Sequence, residues 1–386
     1  MDLLNQTLVM LRLNIMSLPS RAWPSAIIVV STACVVGVLL SMLSETAGLL
    51  HAYQTGGSLD RAIVMPAETA SEYGNGISRS EVTTITSAPG IARGSDGALA
   101  ADAEILFWIP PTEGYKINSP DLRGIGPTGL SLHPELKIVS GRSFQAGRQE
   151  LVIGVRAERV FGLRVGDKVI LPTGEWPIVG AFTAGGSFLE AQLIGDAATI
   201  MSTSRISGFG SVLVKLDDAR AFDEFKRWVT TNPSLTVTTE RQLDYYQRIA
   251  NQYSAFFTKL AYIVAVIMAL GALFGSVKIM HTAVSARTRE IGTLRALGYR
   301  PLPTAVAVVL EMVLLSLTGA CLGAGIAWLL FNGRTISRLA DAFELSVSPR
   351  LFLLGIEWAV ALAVLSALPP AIRAARLSVV NALRET

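Results

Sequence analysis

The sequence predicts an α-helical membrane protein with four transmembrane helices and one α/β domain inserted on the outer side of the membrane. Two observations support this fold class. Of the 386 residues, 51% are hydrophobic and only 16% are charged, whereas soluble domains are typically about a quarter charged. Four segments are also apolar over the roughly 20 residues that a membrane-spanning helix needs. Their uneven spacing leaves room for a single large polar domain between the first two.

The four predicted spans divide the chain into nine segments. The first span is too long for the apolar region of a signal peptide, and no convincing small-residue cleavage site follows it. In chain order, we predict a cytoplasmic N-terminal segment (1–22), a transmembrane helix (23–45), a periplasmic α/β domain (46–254), a second transmembrane helix (255–280), a cytoplasmic coupling loop (281–302), a third transmembrane helix (303–331), a periplasmic loop (332–350), a fourth transmembrane helix (351–372) and a cytoplasmic tail (373–386).

Arginines in the short connecting segments predict the orientation, because Lys and Arg are enriched in cytoplasmic loops. Three segments carry them, and these fall on one side of the membrane if all four spans are real. The arginines are Arg12 and Arg21 in the N-terminal segment, Arg287, Arg289, Arg295 and Arg300 in the coupling loop, and Arg373, Arg376 and Arg384 in the tail. We therefore predict a multi-pass membrane protein with both termini in the cytoplasm and residues 46–254 outside.

The external domain has mixed α/β patterns. The stretch "ELVIGVRAERVFGLRVGDKVIL" predicts a strand over 151–153, a short helix through Phe161 and a further strand after a glycine-containing turn. Farther on, "SVLVKL" predicts a strand, and an amphipathic helix with an apolar stripe of Phe222, Phe225 and Val229 follows it. From 239 to 257 the pattern is helical and polar and continues into the second span. This stretch is a candidate contact for a partner of the external domain and contains Tyr245, Tyr246 and Tyr253.

The coupling loop contains the stretch "AVSARTREIGTLRALGYRP", which has four arginines and one glutamate. Ile291, Leu294 and Leu297 recur every three residues and predict a short amphipathic helix. We expect Gly298 to end this helix. Two interpretations remain open at this point. The helix either rests on anionic lipid headgroups as an anchor, or it docks a cytoplasmic partner that exerts force on the membrane domain.

Three motifs in order carry a resemblance to a known family. They are "SARTREIGTLRALGYR", the third span "LEMVLLSLTGACLGAGIAW" and the terminal "PPAIRAARLSVVNALRE". Together with the topology, they resemble the permease portion of the MacB/FtsX-type ABC transporters. The stretch "GRSFQAGRQELVIGVRAERVFGLRVGDKVIL" is similar to that family's periplasmic core domain.

The resemblance implies the permease subunit of an ATP-driven ABC export system that works by mechanotransmission. The sequence contains no G-x-x-x-x-G-K-[ST] motif, so we expect a separate cytoplasmic ATPase to hold ATP and Mg²⁺, with no cofactor in this chain. Further expected partners are a second permease copy in a homodimer, a periplasmic adaptor leading to an outer-membrane channel, and membrane lipid. The ATPase-coupling residues implied by the family are Arg287, Arg289, Glu290, Gly292, Arg295, Leu297 and Gly298.

Other functions have the same topology. An FtsX-like regulator of a cell-wall hydrolase would export nothing, and a lipoprotein-releasing permease would act on the outer leaflet. A neighbouring adaptor gene would favour export, and a neighbouring hydrolase gene would favour the regulator. A secondary transporter is disfavoured, because four spans without an internal repeat do not match that architecture.

Glycines and acids inside the predicted spans are candidates for helix packing and for function. Gly271 with Gly275, and Gly319 with Gly323, form G-x-x-x-G pairs, which let helices approach closely within a subunit or across a dimer. Glu311 and Glu357 lie inside spans three and four, where an acid is costly to bury. We favour a structural hydrogen bond or a protonated acid over a proton relay.

Several function classes are disfavoured. "GIGPTG" (124–129) matches a dinucleotide motif, but Pro120 and Pro127 predict a turn-rich loop there instead. Cys34 and Cys321 both lie in apolar runs, which leaves no cysteine for a disulfide framework or a zinc site in the external domain. The net charge of +3 does not support nucleic-acid binding. No catalytic or metal-binding pattern is present, so we predict a non-catalytic subunit.

Overall fold

The computed structural model describes residues 3–94, 97–109, 120–171, 174–338 and 341–376. The chain divides into two compact units. The membrane unit comprises Met1–Ala47, Ala255–Gly333 and Ser346–Thr386, and the external unit comprises Gly48–Ser254 and Arg334–Leu345. The predicted tail beyond residue 376, with Arg384 and most of the terminal motif, lies outside the described residues.

Helices make up the membrane unit and flank the strands of the external unit. Those of the described chain are α1 (Leu3–Met16), α2 (Ala22–Gly56), α3 (Arg79–Thr86), α4 (Gly129–Leu132), α5 (Val155–Phe161), α6 (Ala197–Ser204), α7 (Phe222–Thr231), α8 (Gln242–Ala286), α9 (Thr288–Ala296), α10 (Pro301–Phe331) and α11 (Pro349–Arg376). The strands are β1 (Arg61–Pro66), β2 (Ala101–Trp108), β3 (Asp121–Ile125), β4 (Lys137–Gly141), β5 (Leu151–Gly154), β6 (Lys168–Leu171), β7 (Gly174–Thr183), β8 (Leu193–Asp196), β9 (Ser211–Lys215), β10 (Val237–Arg241), β11 (Thr335–Arg338) and β12 (Asp341–Glu344).

Four helices of the described chain, α2, α8, α10 and α11, are long and apolar enough to cross a membrane. Together with the mixed α/β sheet, they confirm the predicted fold class. Each helix is longer than the span predicted within it, because the helical pattern continues through the polar flanks. The largest extension is in α8, which has 45 residues and begins well before the predicted span.

The two glycine pairs of the spans have different surroundings. A Cβ added at Gly319 would lie 2.5 Å from the carbonyl oxygen of Val29, and one at Gly323 would lie 2.3 Å from that of Ala33. These two glycines therefore bring the backbones of α2 and α10 into contact within the chain. At Gly271 and Gly275, no described atom lies within 4 Å of the added Cβ. The second pair does not pack against the described part of its own chain.

The external unit is built on a mixed sheet with the strand order β10-β1-β9-β2-β3-β8-β5-β7-β4, and β6 pairs with β7. One core surrounds the fully buried Trp176, and another contains Phe225 and Val229 of α7. As the sequence predicted, β5 leads directly into a short helix, and Gly162 ends that helix with a positive φ of 69°. The apolar stripe of α7 is buried as predicted.

The turn-rich loop expected at "GIGPTG" is wrong at both ends. Strand β3 runs into the motif, and the short helix α4 follows it. Its backbone closes on Asp102, whose carboxylate accepts hydrogen bonds from the Gly126 N–H at 2.7 Å and the Thr128 hydroxyl at 2.9 Å. A Cβ added at Gly126 or Gly129 would lie 2.4 or 2.6 Å from that carboxylate. Gly126 and Gly129 therefore leave room for the carboxylate of Asp102 in the same chain.

The predicted periplasmic loop 332–350 contains a hairpin. Strands β11 and β12 pair antiparallel, and the hairpin belongs to the external unit. The guanidinium of Arg156 donates hydrogen bonds to the carbonyls of Ala342 at 3.2 Å and Ser187 at 3.3 Å. The sequence did not indicate this hairpin, because the residues that hold it lie far away in the chain and leave no local signature.

The tyrosines expected to present a contact surface before the second span are mostly inaccessible. Tyr245 and Tyr246 are each 1% exposed, and Tyr253 is 51% exposed. The ring of Tyr246 lies 4.6 Å from that of Phe188, which stacks at 4.7 Å on Tyr53. Two of the three tyrosines therefore form part of the core of the external unit and are not accessible to a partner, while the contact expected for this stretch as a whole stays a prediction.

The contact between α2 and α10 can be tested with two identical substitutions. Gly323→Ala should destabilise the protein by about 1–3 kcal/mol, because the added carbon meets a backbone oxygen that cannot rotate away. Gly325→Ala on the same helix has no described atom within 4 Å. It should be neutral or stabilising, since alanine favours helix over glycine by up to about 1 kcal/mol. Thermal unfolding of the detergent-purified chain measures both. Equal effects at the two positions would contradict the close backbone approach.

Candidate functional site

The coupling loop folds into helix α9, which a single residue, Arg287, joins to the end of α8. The Nε of Arg287 lies 3.9 Å from the carboxylate of Glu290, which is one helical turn farther along. Ile291 and Gly292 are buried. The helix ends as predicted, with Gly298 at a positive φ of 97°. Leu297, however, is 79% exposed. The predicted apolar stripe stops before it, because Leu297 already lies in the turn that ends the helix.

Helix α1 contacts both ends of the coupling segment, which the sequence did not indicate. Asn14 accepts a hydrogen bond from the guanidinium of Arg287 at 2.8 Å. Gln6 accepts one from the backbone N–H of Arg300 at 3.2 Å. These polar residues lie eight apart in the helix, with the buried Met10 midway between them, so all three share one face. That spacing is the signal that would have revealed the contact.

Glu311, one of the two predicted intramembrane acids, has a charged partner. Its carboxylate lies 3.2 Å from the guanidinium of Arg21, which also donates a hydrogen bond to the hydroxyl of Ser17 at 3.0 Å. The Glu311 side chain is only 4% exposed. Glu357 instead lies on the exposed surface of α11. The two acids therefore have different environments, and only Glu311 belongs to this site.

A cavity of about 470 Å³, here called the basic cavity, lies among α1, α8, α9 and α10. Burial, followed by the charge of Arg21, lowers the pKa of Arg287. The cavity thus places two guanidinium groups close enough to repel. Its lining includes the charged residues Arg21, Arg287, Glu290 and Glu311, the polar Asn14, Ser17, Thr293 and Thr304, and the apolar Met10, Leu13, Met16, Met280, Ala283, Val284, Ile291, Leu294, Ala307 and Val308.

The other predicted coupling residues are divided between the surface and the helix ends. Arg289 is exposed on α9. The guanidinium of Arg295 donates a hydrogen bond to the carbonyl of Ala375 at 3.3 Å, which connects α9 to the end of α11. Over the described residues, no three His, Cys, Asp or Glu side chains are grouped as a metal site would require.

The coupling residues lie within a segment that matches a known family. Residues 262–379 match the model of the FtsX-like permease C-terminal family. These residues are similar to an FtsX-like permease domain. The domain includes the end of α8 and all of α9, α10 and α11, so every predicted coupling residue belongs to it. Together with the four apolar helices, the match implies an inner-membrane protein.

Several relatives are similar to this chain over part of their length, and three carry the name macrolide export ATP-binding/permease protein MacB. The protein of Shigella boydii is 35% identical over 121 residues, which are 31% of this chain and 18% of the relative. That of Shewanella oneidensis is 32% identical over 130 residues, 34% of this chain and 20% of the relative. That of Hahella chejuensis is 25% identical over 229 residues, 57% of this chain and 35% of the relative. The matched segments thus span between 18% and 35% of these three relatives.

One solved structure is also similar. It is the extracellular domain of the noncanonic ABC-type transporter YknZ from Gram-positive bacteria. The similarity covers 47% of this chain and 99% of that domain, with 15% sequence identity and a TM-score of 0.35.

The external unit contains a buried network of charges that the sequence did not reveal. Arg123 lies 2.5 Å from Glu104 and 2.8 Å from Glu72. The imidazole of His133 bridges Glu104 at 3.0 Å and Glu135 at 3.1 Å. Arg61 completes the network by a two-point contact with Glu135. Its members are scattered over more than 70 residues of sequence, and only the fold brings them together.

The opposite charges of this network keep one another ionised despite their burial. Burial alone would lower the pKa of His133, but the carboxylates of Glu104 and Glu135 outweigh it and raise the pKa to about 9. Burial would raise the pKa of Glu104, yet His133 and Arg123 hold this pKa at about 2. The pKa of Glu135 is likewise lowered to about 2, mainly by His133 and Arg61 against the effect of burial. His133 is therefore a cation at neutral pH, held between two carboxylates.

The raised pKa of His133 predicts a pH dependence of stability. A group whose pKa is higher in the folded state stabilises it fully below its unfolded pKa, here 6.5, and this contribution is lost as the pH rises through about 9. We expect the wild-type protein to lose stability on the order of 3 kcal/mol across that window. His133→Gln should be less stable at pH 6 and should flatten this dependence. Melting temperatures of the purified chain from pH 6 to 9 measure it.

A second histidine provides the control for this experiment. His51 is exposed on α2, so His51→Gln should keep both the stability and the slope of the wild-type protein. The same slope in the His133 variant as in the His51 variant would show that His133 does not hold its charge in the folded protein.

Proposed function

We propose that this chain is the transmembrane subunit of an ATP-driven ABC export system. In this proposal a separate cytoplasmic ATPase docks on α9, and its closure on ATP is transmitted to the external unit by mechanotransmission. The observation that supports the proposal most strongly is the single-residue junction between α8 and α9. A partner that moves α9 acts directly on the end of a long helix, with no flexible linker to absorb the displacement.

The contacts around α9 suit a docking element. Hydrogen bonds donated to α1 by Arg287 and to α11 by Arg295 restrain it, so force applied to it moves neighbouring helices as well. Its exposed surface includes Arg289, and Leu297 follows at its end. A charged group beside an exposed apolar side chain is the kind of combination that protein interfaces bury. The positive charge favours an acidic surface on the partner.

Helix α8 is the proposed transmission element. It contributes residues to both compact units and has 45 residues without interruption. At about 1.5 Å per residue, it is about 68 Å long. Since every interior turn is hydrogen-bonded, displacement at one end of such a helix is carried along its axis. This supports work on the external unit that requires no substrate to cross the bilayer through this chain.

The relatives support export as the outcome. The three described above are macrolide export ATP-binding/permease proteins, and this chain resembles only part of each. In the proposed system, ATP and Mg²⁺ bind to the ATPase, and this chain is not catalytic. The external unit is periplasmic, both termini are cytoplasmic, and a periplasmic adaptor would connect the system to an outer-membrane channel.

A second permease copy completes the proposed assembly. An ATPase that closes as a pair has two-fold symmetry and needs two permease copies to act on, and two-fold symmetry is also the commonest in soluble oligomers. A groove of about 340 Å³ between α2 and α8 is the proposed contact surface. The small side chains along it suit close helix packing in lipid, and it contains the glycine pair that has no partner in the described chain. Its lining is Ile27, Ser31, Cys34, Val35, Met268, Gly271, Ala272, Gly275 and Ser276.

Reversing two charges on α9 tests the docking proposal. Arg289→Glu combined with Glu290→Arg keeps the net charge and the helix but inverts the surface offered to the ATPase. We expect normal membrane insertion with loss of ATPase association and stimulation, measured by co-purification and ATP hydrolysis. The matched control is Glu224→Lys with Lys226→Glu on exposed positions of α7, which should leave both unchanged. If the ATPase still associates with the α9 variant, the helix is only a membrane anchor.

The native cysteines test the proposed dimer. Cys34 lies in the α2–α8 groove, whereas Cys321 is exposed on α10. In a two-fold contact, residues near the axis meet their own copies. A short bifunctional thiol reagent added to native membranes should therefore give a covalent dimer in the wild-type protein and in Cys321→Ser, but none in Cys34→Ser. A dimer that depends on Cys321 instead would place the contact elsewhere.

A further inference from the structure

We propose that the basic cavity binds the phosphate headgroup of an acidic phospholipid from the membrane leaflet that borders α1. The binding would place a lipid between Arg21 and Arg287, at the residue that joins α8 to α9. The inference concerns lipid binding alone and holds with or without an ATPase partner.

The charges in the cavity favour an anion. Two guanidinium groups, those of Arg21 and Arg287, face one buried carboxylate, that of Glu311. Glu290 also lines the cavity, but its side chain is 73% exposed and 3.9 Å from Arg287, so water screens most of its charge. The buried part of the cavity therefore has one uncompensated positive charge. A phosphodiester headgroup carries a single negative charge and would balance it.

One buried hydrogen-bond donor of the cavity also lacks an acceptor. The Nε of Arg21 is buried and has no hydrogen-bond partner among the described residues. A buried donor without a partner is unfavourable by about 1–3 kcal/mol. Arginine presents its donors in a planar fork that fits the oxygens of a phosphate, and such charge-assisted bonds are stronger than neutral ones. A phosphate in the cavity would supply the missing acceptor.

The remaining walls favour a lipid over a small hydrophilic anion. Apolar side chains from four helices line them, including those of Met10, Met280 and Val308. The neighbouring surface of α1 is apolar as well, with Leu4 75%, Leu8 60% and Met16 68% exposed. An exposed apolar helix face beside a membrane lies at the level of the headgroups. The cavity thus combines a cationic end with apolar walls, and it lies beside a helix face that we place at the level of the lipid phosphates.

Native mass spectrometry of the full-length chain in a neutral detergent tests this proposal. The chain is titrated with dioleoyl phosphatidylglycerol, with dioleoyl phosphatidylcholine and with inorganic phosphate. We expect one tightly retained phosphatidylglycerol per chain, weaker retention of phosphatidylcholine because its choline cancels the charge, and no displacement by inorganic phosphate. Equal retention of the two lipids would overturn the proposal. Displacement by inorganic phosphate would assign the cavity to a free anion instead.

Three variants locate the binding. Arg287→Gln, and Arg21→Gln combined with Glu311→Gln, should each weaken phosphatidylglycerol binding about tenfold, since each removes a charged contact to phosphate. The paired change avoids leaving Glu311 without its partner. Arg12→Gln removes an exposed charge from α1 that does not line the cavity, and it should bind lipid as the wild-type protein does. Melting temperatures of the variants show whether each is folded. An equal loss in all three variants would mean only general surface attraction.

Discussion

The contact between the backbones of α2 and α10 is the constraint on which the membrane unit depends. Apolar side chains gain little by leaving lipid for one another, so helices in a bilayer are held together by close packing and polar contacts. Gly319 and Gly323 provide that packing. Glu311 lies two turns earlier on the same face of α10. Close approach at the glycines therefore brings Arg21, just before α2, within reach of this acid.

This arrangement gives α9 a defined position. It is fixed at its start through Arg287 and at its end through Arg295, and both contacts involve helices that are distant in sequence. The basic cavity opens behind it, so any molecule in the cavity touches the junction with α8. A partner on the exposed surface of α9 and a lipid behind it would therefore act on the same short segment from opposite sides.

Much of this fold was predictable because its signals are local. The length and hydropathy of the spans, the apolar run of β5 and the stripe of α7 all depend on neighbouring residues, as does the glycine that ends α9. The contacts that the sequence did not reveal join distant positions. Arg21 and Glu311 are 290 residues apart, and Tyr246 of α8 packs against the ring of Phe188 on another segment. Periodicity cannot detect such pairs. At "GIGPTG", a local pattern even predicted the wrong structure, because the reason for its glycines is an aspartate more than 20 residues away.

The buried network of the external unit restricts how this sequence can change. Removing one member leaves an opposite charge without compensation in a dry interior, which typically destabilises a protein by about 3–5 kcal/mol. Replacing all members together with apolar residues of similar volume is far less harmful. Positions such as Arg123 and Glu104 are therefore energetically coupled. A substitution at one of them is tolerated only together with compensating substitutions at its partners, so these positions have to change jointly.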